Sequence, residues 1–166
     1  MRVFIFRSLF LSLFSLSVHA QGFYLGAEYS RLGVGSLDFD AVFLSGGVGL
    51  NDWLSLEGRV GKSKKKEEDN EEVEIESILG AYVKLSARNK KSFISPYVLL
   101  GYARTDVDLI DEDGDDLGGS TSDFSYGLGM DFDVSERFYI DVDYINYLDK
   151  NGFDITAYSL GLNYQF

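Results

Sequence analysis

Glu28, Glu57, Asp131, Asp133, Asp141 and Asp143 fall on one side of an alternating pattern, and Glu74 and Glu76 share it. Their basic companions on that side are Arg59 and Lys84, with Tyr82 as a neutral hydrogen-bonding neighbour. Carboxylates in this number could act as general acids and bases, as hard-cation ligands, or as ion-pair partners. Acid–base chemistry near neutral pH is most readily done by histidine. The chain has one, His19, inside a segment expected to be removed. No cysteine is present, which excludes disulfides and thiolate metal sites. Nothing marks one pair of acids above the others. No catalytic residue, cofactor or metal site is therefore assigned, and no enzymatic activity is expected.

Two arrangements of these charges compete. Arg59 and Lys84 could pair with neighbouring acids and fill a narrow interior as a lumen polar network. Alternatively, the acids could line a small cation-preferring water path. The acid excess also implies that some carboxylates sit near a rim, take up protons or hold a cation. The acidic run at 106–116 resembles a calcium loop only superficially. Counting back from Gly114 puts Leu109 at the first ligand position and Ser120 at the twelfth, where a carboxylate is needed.

The elements that must position these residues are strands. Residues 153–166 (FDITAYSLGLNYQF) place Tyr158, Leu160, Leu162, Tyr164 and Phe166 on one face and Ala157, Ser159, Gly161, Asn163 and Gln165 on the other. A period of two is the mark of a strand with unlike faces. Seven earlier segments show the same split, beginning near residues 22, 39, 53, 73, 93, 122 and 138. In each, bulky apolar residues face away from glycine, serine and charge. The fifth fits least well, because its inner set of Tyr97, Leu99, Gly101 and Ala103 is apolar. A single proline suits a protein built almost wholly of paired strands. The links at 51–52, 88–92 and 135–136 are short; those at 62–72 and 105–121 are long and charged or glycine-rich, and those at 32–38 and 147–152 are intermediate.

Residues 1–20 read as a cleaved signal peptide. Arg2 and Arg7 precede an apolar stretch, and Val18, His19 and Ala20 supply the cleavage region. Cleavage would change the formal net charge from −12 to −12 − 2 = −14. Such acidity argues against a nucleic-acid partner. No later run of apolar residues is long enough for a membrane helix. Alternation alone does not say which face is inside. A soluble exported barrel of lipocalin type would line a cavity with the bulky face. A membrane barrel would turn that face to lipid. Three features favour lipid: the polar and small residues share one face, aromatics gather towards strand ends, and the chain finishes on Phe166.

The segments GVGLNDWLSLE (47–57) and GLGMDFDVSERFYID (127–141) share a plan: a Gly-x-Gly strand end, a tight polar turn, and an aromatic opening the next strand. With PYVLLGY (96–102) and the closing Tyr164-Gln165-Phe166, the chain resembles the small outer-membrane β-barrels of Gram-negative bacteria, the OmpX and OmpA transmembrane-domain type. The resemblance implies an all-β, eight-stranded antiparallel up-and-down transmembrane β-barrel over 21–166, in the outer membrane. It also implies insertion by the barrel-assembly machinery, with Leu162, Tyr164 and Phe166 matching the C-terminal assembly signal. The adhesion and serum-resistance activities of such barrels reside in their outer loops, and no motif here carries them over.

In that topology the outward parity of the rising strands ends on Arg31, on Lys62 and Lys64, and on Arg104, with Lys150 beyond the seventh strand. Lysine or arginine on the lipid face is tolerated only near an interface. These cations are expected at the outer rim, as contacts for the phosphates of lipopolysaccharide. Asp40 and Asp154 lie at similar height and offer ordinary cross-strand ion pairs instead. The leading expectation is a monomeric structural or surface-exposed barrel with acidic outer loops. A minor cation-preferring pore and a soluble lipocalin-like binding barrel are its rivals.

Overall fold

Inward and outward positions follow the alternation strand by strand. The computed structural model describes residues 22–35, 37–63, 66–68, 71–88, 92–110, 119–150 and 153–166, so the expected signal peptide lies outside the described residues. The strands are β1 (Gly22–Val34), β2 (Leu37–Gly49), β3 (Leu54–Ser63), β4 (Lys66–Glu68), β5 (Glu71–Ser86), β6 (Ile94–Ile110), β7 (Gly119–Asp133), β8 (Phe138–Lys150) and β9 (Phe153–Gln165). Both β3 and the three-residue β4 pair with β5, so they share one place in the wall, and the wall has eight strands. Every neighbouring pair is antiparallel, and β9 pairs with β1 to close the ring.

The stagger of the wall can be walked through its register. Gly22 pairs with Gly49, then Ser55, Lys84, Leu99, Gly127, Ile145, Ala157 and finally Leu32. One circuit therefore returns to β1 shifted by 32 − 22 = 10 residues. A stagger of this size over eight strands tilts each by roughly 35–45° and leaves an interior that side chains can fill.

The bulky face is on the outside. Leu160, Leu128, Leu44 and Val98 are exposed, while Asp131 and Arg59 on the opposite parity are each 3% exposed. A soluble carrier would show the reverse, so the lipocalin-like alternative is overturned. Aromatic belts bracket the outer apolar band. Near the chain ends Phe138 packs on Tyr164 (ring centroids 5.0 Å) and Tyr164 on Phe166 (4.9 Å), with Phe23, Trp53 and Phe93 also exposed. Towards the other end Tyr102, Phe124, Tyr126 and the Tyr144–Tyr158 pair form the second belt.

The short turns are stabilised by side chains. Asn51 Oδ1 accepts from the backbone N–H groups of Trp53 (2.9 Å) and Leu54 (2.8 Å). Ser135 Oγ does the same for Arg137 (3.3 Å) and Phe138 (3.1 Å). These are the side-chain mimics of a backbone turn that asparagine and serine provide. The opposite ends differ from expectation, because the ladders run further out. Pairing reaches Val34↔Leu37, Glu68↔Glu71 and Lys150↔Phe153, so much of 32–38, 62–72 and 147–152 is strand rather than loop. At the first of these hairpins Gly35 takes φ 57°, the left-handed conformation that a two-residue connection requires. β6 reaches Ile110 and β7 starts at Gly119, which shortens the expected 105–121 loop to residues outside those described.

Candidate functional site

The lumen has a charged half and an apolar half. At the centre of the charged half is Arg59 on β3. Its Nη1 lies 2.8 Å from both Glu28 Oε2 on β1 and Asp143 Oδ2 on β8, and its Nε lies 2.7 Å from Glu57 Oε1. Tyr24 donates to Glu57 Oε2 at 2.5 Å, and Tyr97 donates to Asp143 Oδ2 at 3.0 Å. Closer to the short turns, Lys84 Nζ on β5 pairs with Asp131 Oδ1 on β7 at 3.0 Å. Its ammonium sits 3.8 Å from the centroid of the Tyr97 ring, with Tyr24 and Tyr139 just beyond, a cation–π box around a buried lysine. Asn163 donates to Asp141 Oδ1. Tyr82 reaches Ser125 Oγ at 3.0 Å, which in turn donates to the backbone carbonyl of Asn146 at 2.6 Å.

Of the residues assigned to this network from sequence, Glu28, Glu57, Arg59, Tyr82, Lys84, Asp131, Asp141 and Asp143 are all buried inside the barrel. Asp133 is the correction. It is exposed at the end of β7, 3.8 Å from Arg88, because the strand has run past the lumen by that residue. The side chains of Glu74 and Glu76 lie outside the described ones. Tyr24, Tyr97, Tyr139 and Asn163 complete the network although no role was assigned to them. Their signal was available, since each shares the parity of the acids.

Towards the longer hairpins the lumen changes character. Leu32, Phe43, Ile78, Leu99, Ile145, Tyr147, Leu148 and Ile155 form a buried apolar layer. Phe43 and Tyr147 stack across it, centroids 5.4 Å apart and planes within 1° of parallel. Leu99 and Phe43 were named on the inner face from sequence, and Leu32, Ile78, Ile145, Tyr147 and Ile155 keep the parity of their strands' inner sets. Register shifts between Ile75 and Ser77 on β5 and between Asn146 and Leu148 on β8 insert an extra residue. On β8 the bulge switches the parity beyond it and turns Leu148 inward.

Large inner side chains find room over glycines on the next strand. Tyr24 pairs in register with Gly47, Phe43 with Gly61, and Tyr97 with Gly129. A Cβ on Gly129 would stand 2.5 Å from Tyr97 Cζ. The inner face is rich in glycine because each ring lies flat across its cross-strand partner.

On the outside, Arg31, Lys62 and Arg104 each follow by two residues an exposed apolar or aromatic side chain, namely Tyr29, Val60 and Tyr102. Arg31 is in register with Asp40, which accepts from the Tyr29 hydroxyl at 2.7 Å. Arg104 Nε lies 3.2 Å from Asp106 Oδ1, and its Nη2 donates to Ser120 Oγ at 3.2 Å. Lys64 lies outside the described residues. At the other rim Phe166 donates its N–H to Phe23 O at 2.9 Å, locking the chain end onto β1, with Leu162, Tyr164 and Phe166 on the outer face.

Known proteins place this architecture. Residues 6–166 match the family model described as outer membrane protein beta-barrel domain. Neisserial surface protein A (NspA) superposes with a TM-score of 0.76 at 18% identity, over 89% of this chain and 99% of that one. The N-terminal β-barrel domain of Pseudomonas aeruginosa OprF gives 0.66 at 17% identity, over 86% and 97%. The attachment invasion locus protein Ail of Yersinia pestis, solved with the heparin analogue sucrose octasulfate, gives 0.65 at 18% identity, over 87% and 97%. Among curated protein sequences, none matches. The closed eight-stranded wall, its apolar outer band and the family match together make this chain a member of the outer membrane protein beta-barrel domain family, of the small Gram-negative outer-membrane type.

Proposed function

We propose that the protein is a sealed surface barrel: it spans the outer membrane, presents its longer hairpins to the medium, and neither conducts nor catalyses. The observation that carries this reading is the filling of the lumen. The Arg59 and Lys84 networks occupy one half, and the layer around Phe43 and Tyr147 occupies the other. An apolar layer across a narrow bore is a barrier to hydrated ions. Closure of β1 on β9 leaves no open strand edge for a second chain, which supports a monomer. Planar-bilayer recording tests the reading. No steady conductance is expected, and a reproducible cation-selective current from the wild-type barrel would overturn it. The second reading, a minor cation-preferring pore, draws its support from the excess of buried acids over bases and predicts that current.

The rim cations support a lipid contact. Arg31, Lys62 and Arg104 stand where the apolar band ends, and Lys64 follows two residues after Lys62 in the sequence. They fit the phosphates of lipopolysaccharide, although Asp40 and Asp106 compete for the two arginines. Replacing Arg31, Lys62, Lys64 and Arg104 with serine is expected to reduce lipopolysaccharide retained through detergent purification. Unchanged retention would refute the contact. The outward row of Leu162, Tyr164 and Phe166 fits a signal read by the barrel-assembly machinery. Polyanion binding, as in the Ail complex, is not carried over to a chain of net charge −12.

A further inference from the structure

We infer that the lumen holds one hard divalent cation of calcium size, bound between Glu28, Asp141 and Asp143. One carboxylate oxygen from each lies within 4.8 Å of the others, and all three residues are buried. Calcium–oxygen bonds of about 2.3–2.6 Å let two ligands of one ion stand up to about 5 Å apart. The three oxygens fit that span.

A second observation points to an ion. Asp141 Oδ2 and Asp143 Oδ1 accept no hydrogen bond, although their residues are only 2% and 4% exposed. Three of the other four oxygens are taken: Asp141 Oδ1 by Asn163, Asp143 Oδ2 by Arg59 and Tyr97, and Glu28 Oε2 by Arg59. A buried carboxylate oxygen with no donor is among the least tolerable groups in an interior.

The wall is shaped for these side chains to converge. Gly161 on β9 is in register with Glu28 on one side and Asp141 on the other. A Cβ there would collide with Asp141 Oδ1 and would stand 2.7 Å from Glu28 Cγ. The glycine leaves the space into which both carboxyl groups lean. The charge balance agrees. The buried acids Glu28, Glu57, Asp131, Asp141 and Asp143 face Arg59 and Lys84, an excess of 5 − 2 = 3 among the described residues. Lys84 is held by Asp131 and Arg59 by three acids, and no described cation pairs with Asp141. Calcium would draw the remaining oxygens of its shell from water.

The test is to refold the full chain into detergent with Mn²⁺ as the probe, so that access to a closed lumen is not limiting. Surface-bound ion is then stripped on a chelating resin, and retained metal is counted by elemental analysis and electron paramagnetic resonance. One ion per folded barrel is expected, with the thermal midpoint rising as free Ca²⁺ is raised. Asp141→Asn and Gly161→Ala should lose the ion, and Asp149→Asn, a change at an exposed acid of the same strand, should keep it. If Asp141→Asn does not refold, as judged by heat-dependent gel mobility, Glu28→Gln takes its place. Wild-type barrel that retains no stoichiometric ion, or equal retention in the site variants, would overturn the inference and leave protons to neutralise the acids.

Discussion

Replacing Arg59 with methionine tests the charged half of the lumen most severely. The guanidinium makes three ion pairs of 2.7–2.8 Å with Glu28, Glu57 and Asp143, and all four side chains are buried. Methionine fills a similar volume but removes the counter-charge from three carboxylates at once. Removing one partner of a single buried pair costs about 3–5 kcal/mol, because the remaining charge is stranded. The loss expected here is at least that, a large part of the roughly 5–15 kcal/mol available to a domain. Arg59→Lys keeps the charge but not the forked geometry that reaches Glu57 and Glu28 together, so it should fall between the two. Combining Arg59→Met with Glu28→Gln, Glu57→Gln and Asp143→Asn removes the stranded charges and should regain most of the stability. The assay is urea unfolding in phospholipid vesicles. It can be followed through Trp53, the one tryptophan of the chain, exposed in the belt near the short turns. A loss below about 1 kcal/mol for Arg59→Met, or a quadruple variant weaker than the single one, would refute the reasoning.

Three further outcomes follow from the geometry. Leu128→Arg puts a cation in the middle of the outer apolar band and should cost about 2–4 kcal/mol in the same vesicle assay, whereas the equivalent change at exposed Glu136 on a short turn should cost almost nothing. Gly129→Ala must push Tyr97 off its seat, breaking its bond to Asp143 and its stack on Lys84, for a loss of about 1–3 kcal/mol measured by urea titration. Phe166→Ala leaves the backbone bond to Phe23 intact while removing the terminal ring, so refolding in vitro should proceed at near wild-type yield while the amount assembled in cells, measured in outer-membrane fractions, falls.

Much of this architecture is legible in the amino-acid sequence. Alternation at 153–166 and in seven earlier segments fixes which side chains share a face, and Asn51 and Ser135 mark two of the tight turns. The charged half of the lumen was legible because ionised side chains on one parity have nowhere else to go in a barrel with a greasy exterior. The apolar half was not. Leu32, Tyr147 and Leu148 lie in segments expected as links, and at Leu148 a bulge interrupts the period of two, so the buried run Ile145, Asn146, Tyr147, Leu148 looks like the end of a strand when only strict alternation is counted. The longer hairpins were hidden for a related reason. Charged strand such as Lys66–Glu68 has the composition of a loop, and only its pairing with β5 distinguishes it. Asp133 shows the limit of parity itself: it says which face a residue is on, not whether the lumen extends that far.

The orientation of the wall can be measured directly, because the chain has no native cysteine to interfere. Single cysteines placed in turn at 157–163 of β9 and labelled with a nitroxide would report contact with lipid through relaxation by oxygen, which concentrates in hydrocarbon. Oxygen accessibility should peak at 158, 160 and 162, where Tyr158, Leu160 and Leu162 are exposed, and dip at 157, 159, 161 and 163. Peaks at Ser159 and Gly161, or a profile with no alternation, would contradict a barrel that turns its bulky residues to lipid and closes its polar ones within.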